Sequence, residues 1–183
     1  ICIDGVDIRN WDLTALRHLF SVVLQDVFLF SGTIMENLRC RSESTVEDVY
    51  RAIDRMGANH FINNLPDGYD TLVLEHGRNF SAGEKQLLAL ARTLVTDPPI
   101  VILDEATSHV DSETEAQIQK SLDIVFQGRT AFIIAHRLST IRKVDRIFVM
   151  QNGFLVEEGN HHDLMKKQSR YFELFSLQAQ SYQ

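Results

Sequence analysis

After Pro98-Pro99 the chain settles into an alternation that few folds can accommodate. A short apolar run, Ile100–Leu103, gives way to a helical stretch, Ser112–Phe126, which Gly128 stops. Further apolar runs follow at Thr130–Ala135 and Arg146–Met150, and Ser21–Leu24 is a similar run upstream. Short apolar runs bounded by turn residues read as buried strands. Strands alternating with helices pack as an α/β fold whose sheet is largely parallel.

Between Gln25 and Asp97 the pattern is mostly helical. Val46, Val49, Tyr50, Ile53 and Met56 recur at the spacing of one helix face, and Ser44 with Glu47 can form a capping box. Pro66-Asp67-Gly68 marks a loop. A second helix is expected from about Gly83 to Thr96, with Leu87, Leu88, Leu90, Ala91, Leu94 and Val95 on its apolar face and Pro98-Pro99 at its end. The segment from about residue 26 to 97 therefore reads as a helical insertion standing off the sheet. Ser112 and Glu115 suggest a capping box, Asn152-Gly153 a tight hairpin, and the chain from Asn160 onward two short helices.

The bulk properties exclude some functions. With 183 residues, 44% of them hydrophobic, the chain can bury an ordinary core. A net charge of −7 and no basic stripe argue against a nucleic-acid partner. The apolar runs are far shorter than the roughly 20 residues that cross a bilayer. The sequence opens on ICIDG rather than Met, so it is expected to be a fragment whose N-terminal part lies elsewhere. Cys2 and Cys40 are unspaced thiols and suggest a reducing compartment.

Ligands bind outside the carboxyl ends of the strands in an open parallel sheet. Three runs here end in polar side chains. SVVL leads to Gln25, VIL to Asp104-Glu105 and FIIA to His136. Adjacent side chains on a strand point different ways, so one carboxylate can hold a hydrated Mg²⁺ while the other faces an attacking water. That division suits phosphoryl transfer, which depends on positioning and charge compensation. Taken singly, each residue has a plainer reading as a solvated or structural group. A fourth feature, NFSAGEKQLLALAR at residues 79–92, opens a helix with Ser81 and Glu84 spaced as a capping box. The unpaired N–H groups of a helix start attract phosphate. Yet the chain contains no Gly-Lys-Ser/Thr sequence, the mark of a self-sufficient phosphate loop.

These segments, taken in order, resemble those of the ABC (ATP-binding cassette) ATPases. QDVFLFSGTIMENL is similar to their Q-loop region, NFSAGEKQLLALAR to their signature motif and IVILDEATSHVD to their Walker B strand and D-loop. IIAHRLSTI resembles their switch-histidine segment, and NGFLVEEGNHHDLM the closing hairpin and helix. DEATS with AHRLST, and LFSGTIMENL, resemble the exporter branch. The resemblance implies a P-loop NTPase-like, mostly parallel sheet core with an inserted helical subdomain, lacking its first strands and phosphate loop. It implies that Gln25 touches Mg²⁺ or the lytic water. Asp104 would anchor Mg²⁺ through water, Glu105 would act as general base and His136 would clamp the γ-phosphate. Ser81, Ala82, Gly83 and Glu84 would line a nucleotide, and Asp111 would brace a dimer interface.

The same resemblance implies the partners: ATP with Mg²⁺, a second ABC ATPase domain paired head to tail, and a transmembrane domain upstream on the same chain. The location implied is the cytoplasmic face of a membrane. Departures from the family pattern are Phe80 for Leu, Ala82 for Gly, Glu84 for Gln, and His109-Val110 in the D-loop. A helix terminus contributes roughly 0.3–1 kcal/mol toward an exposed anion, whereas a micromolar ligand needs about 8 kcal/mol. The helix at Ser81 alone therefore cannot hold ATP. It is expected to close over ATP held by a partner, and the fragment alone is expected to be inactive. The alternatives are a soluble ABC-type ATPase and a non-catalytic partner module.

Overall fold

Two apolar strands, Phe20–Val23 and Ile100–Asp104, lie side by side and parallel in the computed structural model, which describes residues 1–39, 44–104, 112–135 and 138–180. The chain divides into two units, Ile1–Ile133 and Ile134–Gln183. The first opens with β1 (Cys2–Ile3), β2 (Val6–Asp7), α1 (Leu13–His18), β3 (Phe20–Val23), β4 (Gly32–Thr33) and α2 (Ile34–Leu38). It continues with α3 (Val46–Met56), α4 (Asn59–Asn63), β5 (Leu72–Val73), α5 (Ala82–Thr96), β6 (Ile100–Asp104), α6 (Ser112–Phe126) and β7 (Thr130–Ile134). The second holds α7 (Leu138–Lys143), β8 (Ile147–Gln151), β9 (Phe154–Gly159), α8 (His161–Lys167) and α9 (Arg170–Gln180).

The central sheet has the order β3-β6-β7, and β3 pairs with β6 from Phe20↔Ile100 to Val23↔Leu103. Its two faces differ. Val23, Val101 and Leu103 are buried in one cluster with Leu88, Leu90 and Ala91 of α5 and Ile118, Leu122 and Val125 of α6. Ser21 joins that face through a 2.8 Å hydroxyl bond to Thr93. On the opposite face Val22 is 53% exposed and Phe132 56%. Parallel sheets are usually covered on both faces.

The stretch between Gln25 and Asp97 is mainly helical, with one addition to the sequence expectation. β4 and β5 form an antiparallel pair, Gly32↔Val73 and Thr33↔Leu72. Strands of two residues carry no periodicity to read. The start of α3 also differs from the expected Ser44–Glu47 box. Thr45 Oγ1 accepts from the Asp48 N–H, and the Asp48 carboxylate accepts from the Thr45 N–H. The sequence STVED offers two overlapping boxes one residue apart. The Ser44 carbonyl accepts from Arg39 Nε at 2.8 Å, and Thr45 is the N-cap. The Ser112–Glu115 box falls on Ser112, whose side chain lies outside the described residues.

α5 begins at the expected place. Gly77, at φ +64°, lies just upstream, where a Cβ would stand 2.8 Å from Leu29 Cδ1. The loop before α5 therefore packs directly on the segment that follows β3, and only glycine permits that approach.

In the second unit Asn152 (φ 51°) and Gly153 (φ 82°) turn β8 into β9 as the sequence predicts. Val149, Leu164, Tyr171 and Phe175 form its core. The Glu157 carboxylate on β9 accepts from the Ser169 hydroxyl and from the N–H groups of Arg170 and Tyr171, capping α9. The Ser169 bond leads in holding that carboxyl below its ordinary pKa.

His161 Nδ1 lies 2.7 Å from the Tyr171 hydroxyl and its ring packs on Phe175. Burial first, then the charges of Arg142 and His162, pushes its pKa below the ordinary 6.5. The folded state thus binds the proton less readily than the unfolded chain. Its contribution to stability is complete above pH 6.5 and is lost as pH falls from there through the folded pKa. We expect thermal melting of the His161→Gln variant to depend less on pH below 6.5 than the parent. Superimposable profiles would contradict this coupling.

Candidate nucleotide site

The parallel register brings two of the expected residues to one edge. Val23 pairs with Leu103, so Asp104, one residue beyond Leu103, and Gln25, two beyond Val23, both lie at the carboxyl end of the sheet. β7 flanks β6 on the other side. The Thr130 N–H bonds the Pro99 carbonyl at 3.0 Å, so β7 starts level with β6. Gln25 is exposed and Asp104 half-buried. An exposed amide and a carboxylate at strand ends are hard oxygen donors of the kind Mg²⁺ prefers. Glu105, Asp111 and His136 lie outside the described residues.

The second group is built at the start of α5. Ser81 is the N-cap, and its side chain accepts from the Glu84 N–H at 3.2 Å. The Glu84 carboxylate returns a bond to the Ser81 N–H at 2.7 Å. This capping box is the one the sequence predicts. Helix geometry gives the N–H groups of Ala82 and Gly83 no acceptor within the helix, so these are the donors left for an anion. Ala82 lies inside the helix and does not adopt positive φ, so alanine in place of glycine is unstrained. Phe80 in place of leucine is buried in the core cluster. Among the described residues, no hydrogen bond joins Ser81–Glu84 to Gln25 or Asp104.

Two residues that no local sequence pattern singles out, Arg92 of α5 and Asn37 of α2, meet in the structure. Their side chains bond each other and the backbone of the segment after Gln25. The available signal was a guanidinium set inside the apolar run LLALAR. Two residues of the HHD run at 161–163 have local partners. His161 meets Tyr171, and the Asp163 N–H is capped by Asn160.

The ABC transporter family model matches residues 1–108. An uncharacterized ABC transporter ATP-binding protein of Bacillus subtilis, YknV, is 50% identical over 97% of this chain and 30% of its own length. YheH of the same organism, a probable multidrug resistance ABC transporter ATP-binding/permease protein, is 49% identical over 97% of this chain and 27% of its own. The chain thus spans less than a third of these relatives. A solved bacterial Atm1-family ABC exporter with ATP bound superposes with a TM-score of 0.88 at 43% identity, over 97% of this chain and 31% of that one. On the family model, the relatives and the shared architecture together, the chain belongs to the ABC transporter family, as part of its ATP-binding domain.

Proposed function

We propose that this chain is the C-terminal part of the ATP-binding and hydrolysing domain of an exporter, with a helical subdomain at about residues 26–97 inserted in its α/β core. In this reading the domain works at the cytoplasmic face of a membrane and drives transport by a transmembrane part of the same polypeptide. The observation that carries it is the shared carboxyl edge of β3 and β6, where Gln25 and Asp104 emerge together. The names of the relatives support the exporter assignment, since two of them join ATP-binding and permease parts or export function.

The roles follow from the chemistry of each group. Asp104 and Gln25 supply oxygens for Mg²⁺, which when bound compensates the charge of the phosphates. Glu105, next along the chain, is the general base that takes the proton of the attacking water. His136 holds the γ-phosphate by hydrogen bonding.

Ser81 and Ala82 at the start of α5 are exposed, but a helix start is too weak to hold ATP alone. It therefore serves a nucleotide bound chiefly by a second ATPase domain, paired head to tail and braced by Asp111. The half-exposed Phe28 and Phe30 suit contact with the membrane part. The 183 residues contain no Gly-Lys-Ser/Thr, so these residues alone are inactive in this reading. An acidic net charge favours the transporter over an ABC ATPase that works on nucleic acid.

In the intact exporter, Glu105→Gln is expected to leave ATP binding in place and to lower kcat by about 10²–10⁴-fold. Steady-state hydrolysis beside nucleotide-binding measurements tests this, and unchanged turnover would remove Glu105 from its role. Glu84 places a carboxylate beside the phosphate donors while capping Ser81. Glu84→Gln keeps the capping oxygen and removes the charge, so KM for ATP should fall about two- to fivefold. An unchanged or higher KM would show that the partner's phosphate does not approach this helix start.

A further inference from the structure

Arg92 joins parts of the first unit that lie far apart in sequence. Its Nε donates to the Asn37 carbonyl at 2.7 Å, Nη2 to Asn37 Oδ1 at 2.5 Å, and Nη1 to the Phe28 carbonyl at 2.7 Å. Asn37 is 2% exposed. Its amide pairs with both backbone groups of Phe30. Oδ1 accepts from the Phe30 N–H at 2.9 Å, and Nδ2 donates to the Phe30 carbonyl at 2.8 Å and to the Thr33 carbonyl at 3.0 Å. The guanidinium also stands 5.8 Å from the centre of the Phe30 ring.

These bonds hold an unfavourable surface in place. The rings of Phe28 and Phe30 meet edge to face at 4.9 Å and remain 51% and 59% exposed. The backbone that presents them is fixed from behind by α5 through Arg92 and from α2 through Asn37. A planar guanidinium serves three acceptors in two directions at once, which a lysine ammonium on its single stem does not reproduce. α5 is a 15-residue helix, a rod of about 22 Å, and its other end is the Ser81–Glu84 start.

We propose that Arg92 and Asn37 form a latch that makes the Phe28–Phe30 edge move as one body with α5. A displacement of α5 when its start engages a phosphate then reaches the aromatic edge through hydrogen bonds to that edge's own backbone. Arg92 is a positioning residue in this scheme, since it acts through Phe28 and Phe30 and touches no nucleotide. The proposal rests on the nucleotide reading of the Ser81–Glu84 helix start given above.

Hydrogen–deuterium exchange on the intact exporter tests both, using Mg²⁺ with the non-hydrolysable analogue adenylyl imidodiphosphate as the probe. In the parent, the analogue should slow exchange at Ser81–Glu84 and change it at residues 28–33, the Phe30 amide included. In Arg92→Lys the Ser81–Glu84 response should persist, while the response at residues 28–33 falls to about a fifth of the parent's or less. Asn37→Asp, which loses the donor to Phe30 and Thr33, should behave alike. A full response at residues 28–33 in both variants overturns the latch, even if their basal exchange is raised. Loss of the Ser81–Glu84 response in both variants assigns the pair to folding alone and likewise overturns it. A parent that shows no response at Ser81–Glu84 overturns the nucleotide reading itself, a result distinct from either of these.

Discussion

The parallel register of β3 against β6 is the constraint on which the rest of the site depends. Val23 and Leu103 are opposite one another and buried against α5 and α6. A slip of one residue would turn Val101 and Leu103 out of the core, each forfeiting about 1.5–3 kcal/mol of burial. The hydrophobic core therefore fixes which residues come next at the sheet edge. Gln25 and Asp104 come to that end in the register that keeps Val23, Val101 and Leu103 in the core. In the proposed reading the chemistry is thus positioned by apolar side chains that take no part in it.

The start of α5 shows a local compromise. Glu84 stabilises the helix by accepting the Ser81 N–H, and its negative charge suits the positive end of the helix dipole. The same charge stands beside the Ala82 and Gly83 amides that a phosphate would use. Folding and anion binding therefore compete for one helix terminus. In the proposed dimer the balance is set by how much of the phosphate's charge the partner domain neutralises.

Features encoded within a few residues were legible in the sequence. The Ser81–Glu84 box, the Asn152-Gly153 turn and the Asn160 cap each depend on side chains no more than three positions apart. The strands at Ile100 and Thr130 were legible because their apolar runs are bounded by Pro99 and Gly128. The ambiguity at Ser44 and Thr45 arose because neighbouring residues offer equivalent caps one position apart. The Arg92–Asn37 network spans 55 positions and its bond to Phe28 spans 64. No local pattern announces such a contact, and the two-residue pair β4–β5 is equally silent. The strand-end residues were expected as a set because their order along the chain resembles that of a family; Gln25 and Asp104 fall at one sheet end, and Glu105 and His136 lie outside the described residues.

The central claim is that strand-end residues of one chain and the α5 start of another meet at a single ATP. Mixed dimers of the intact exporter, built from distinguishable copies carrying Glu105→Gln and Ser81→Arg, test it most directly through ATP hydrolysis. With one change in each copy, both lesions should fall on the same composite site, so the second site stays whole and hydrolysis persists. With both changes in one copy opposite an unaltered partner, each site is damaged once and hydrolysis should cease. The reverse outcome, activity only when one copy carries both changes, would place Ser81 and Glu105 in the same chain's site and contradict the account.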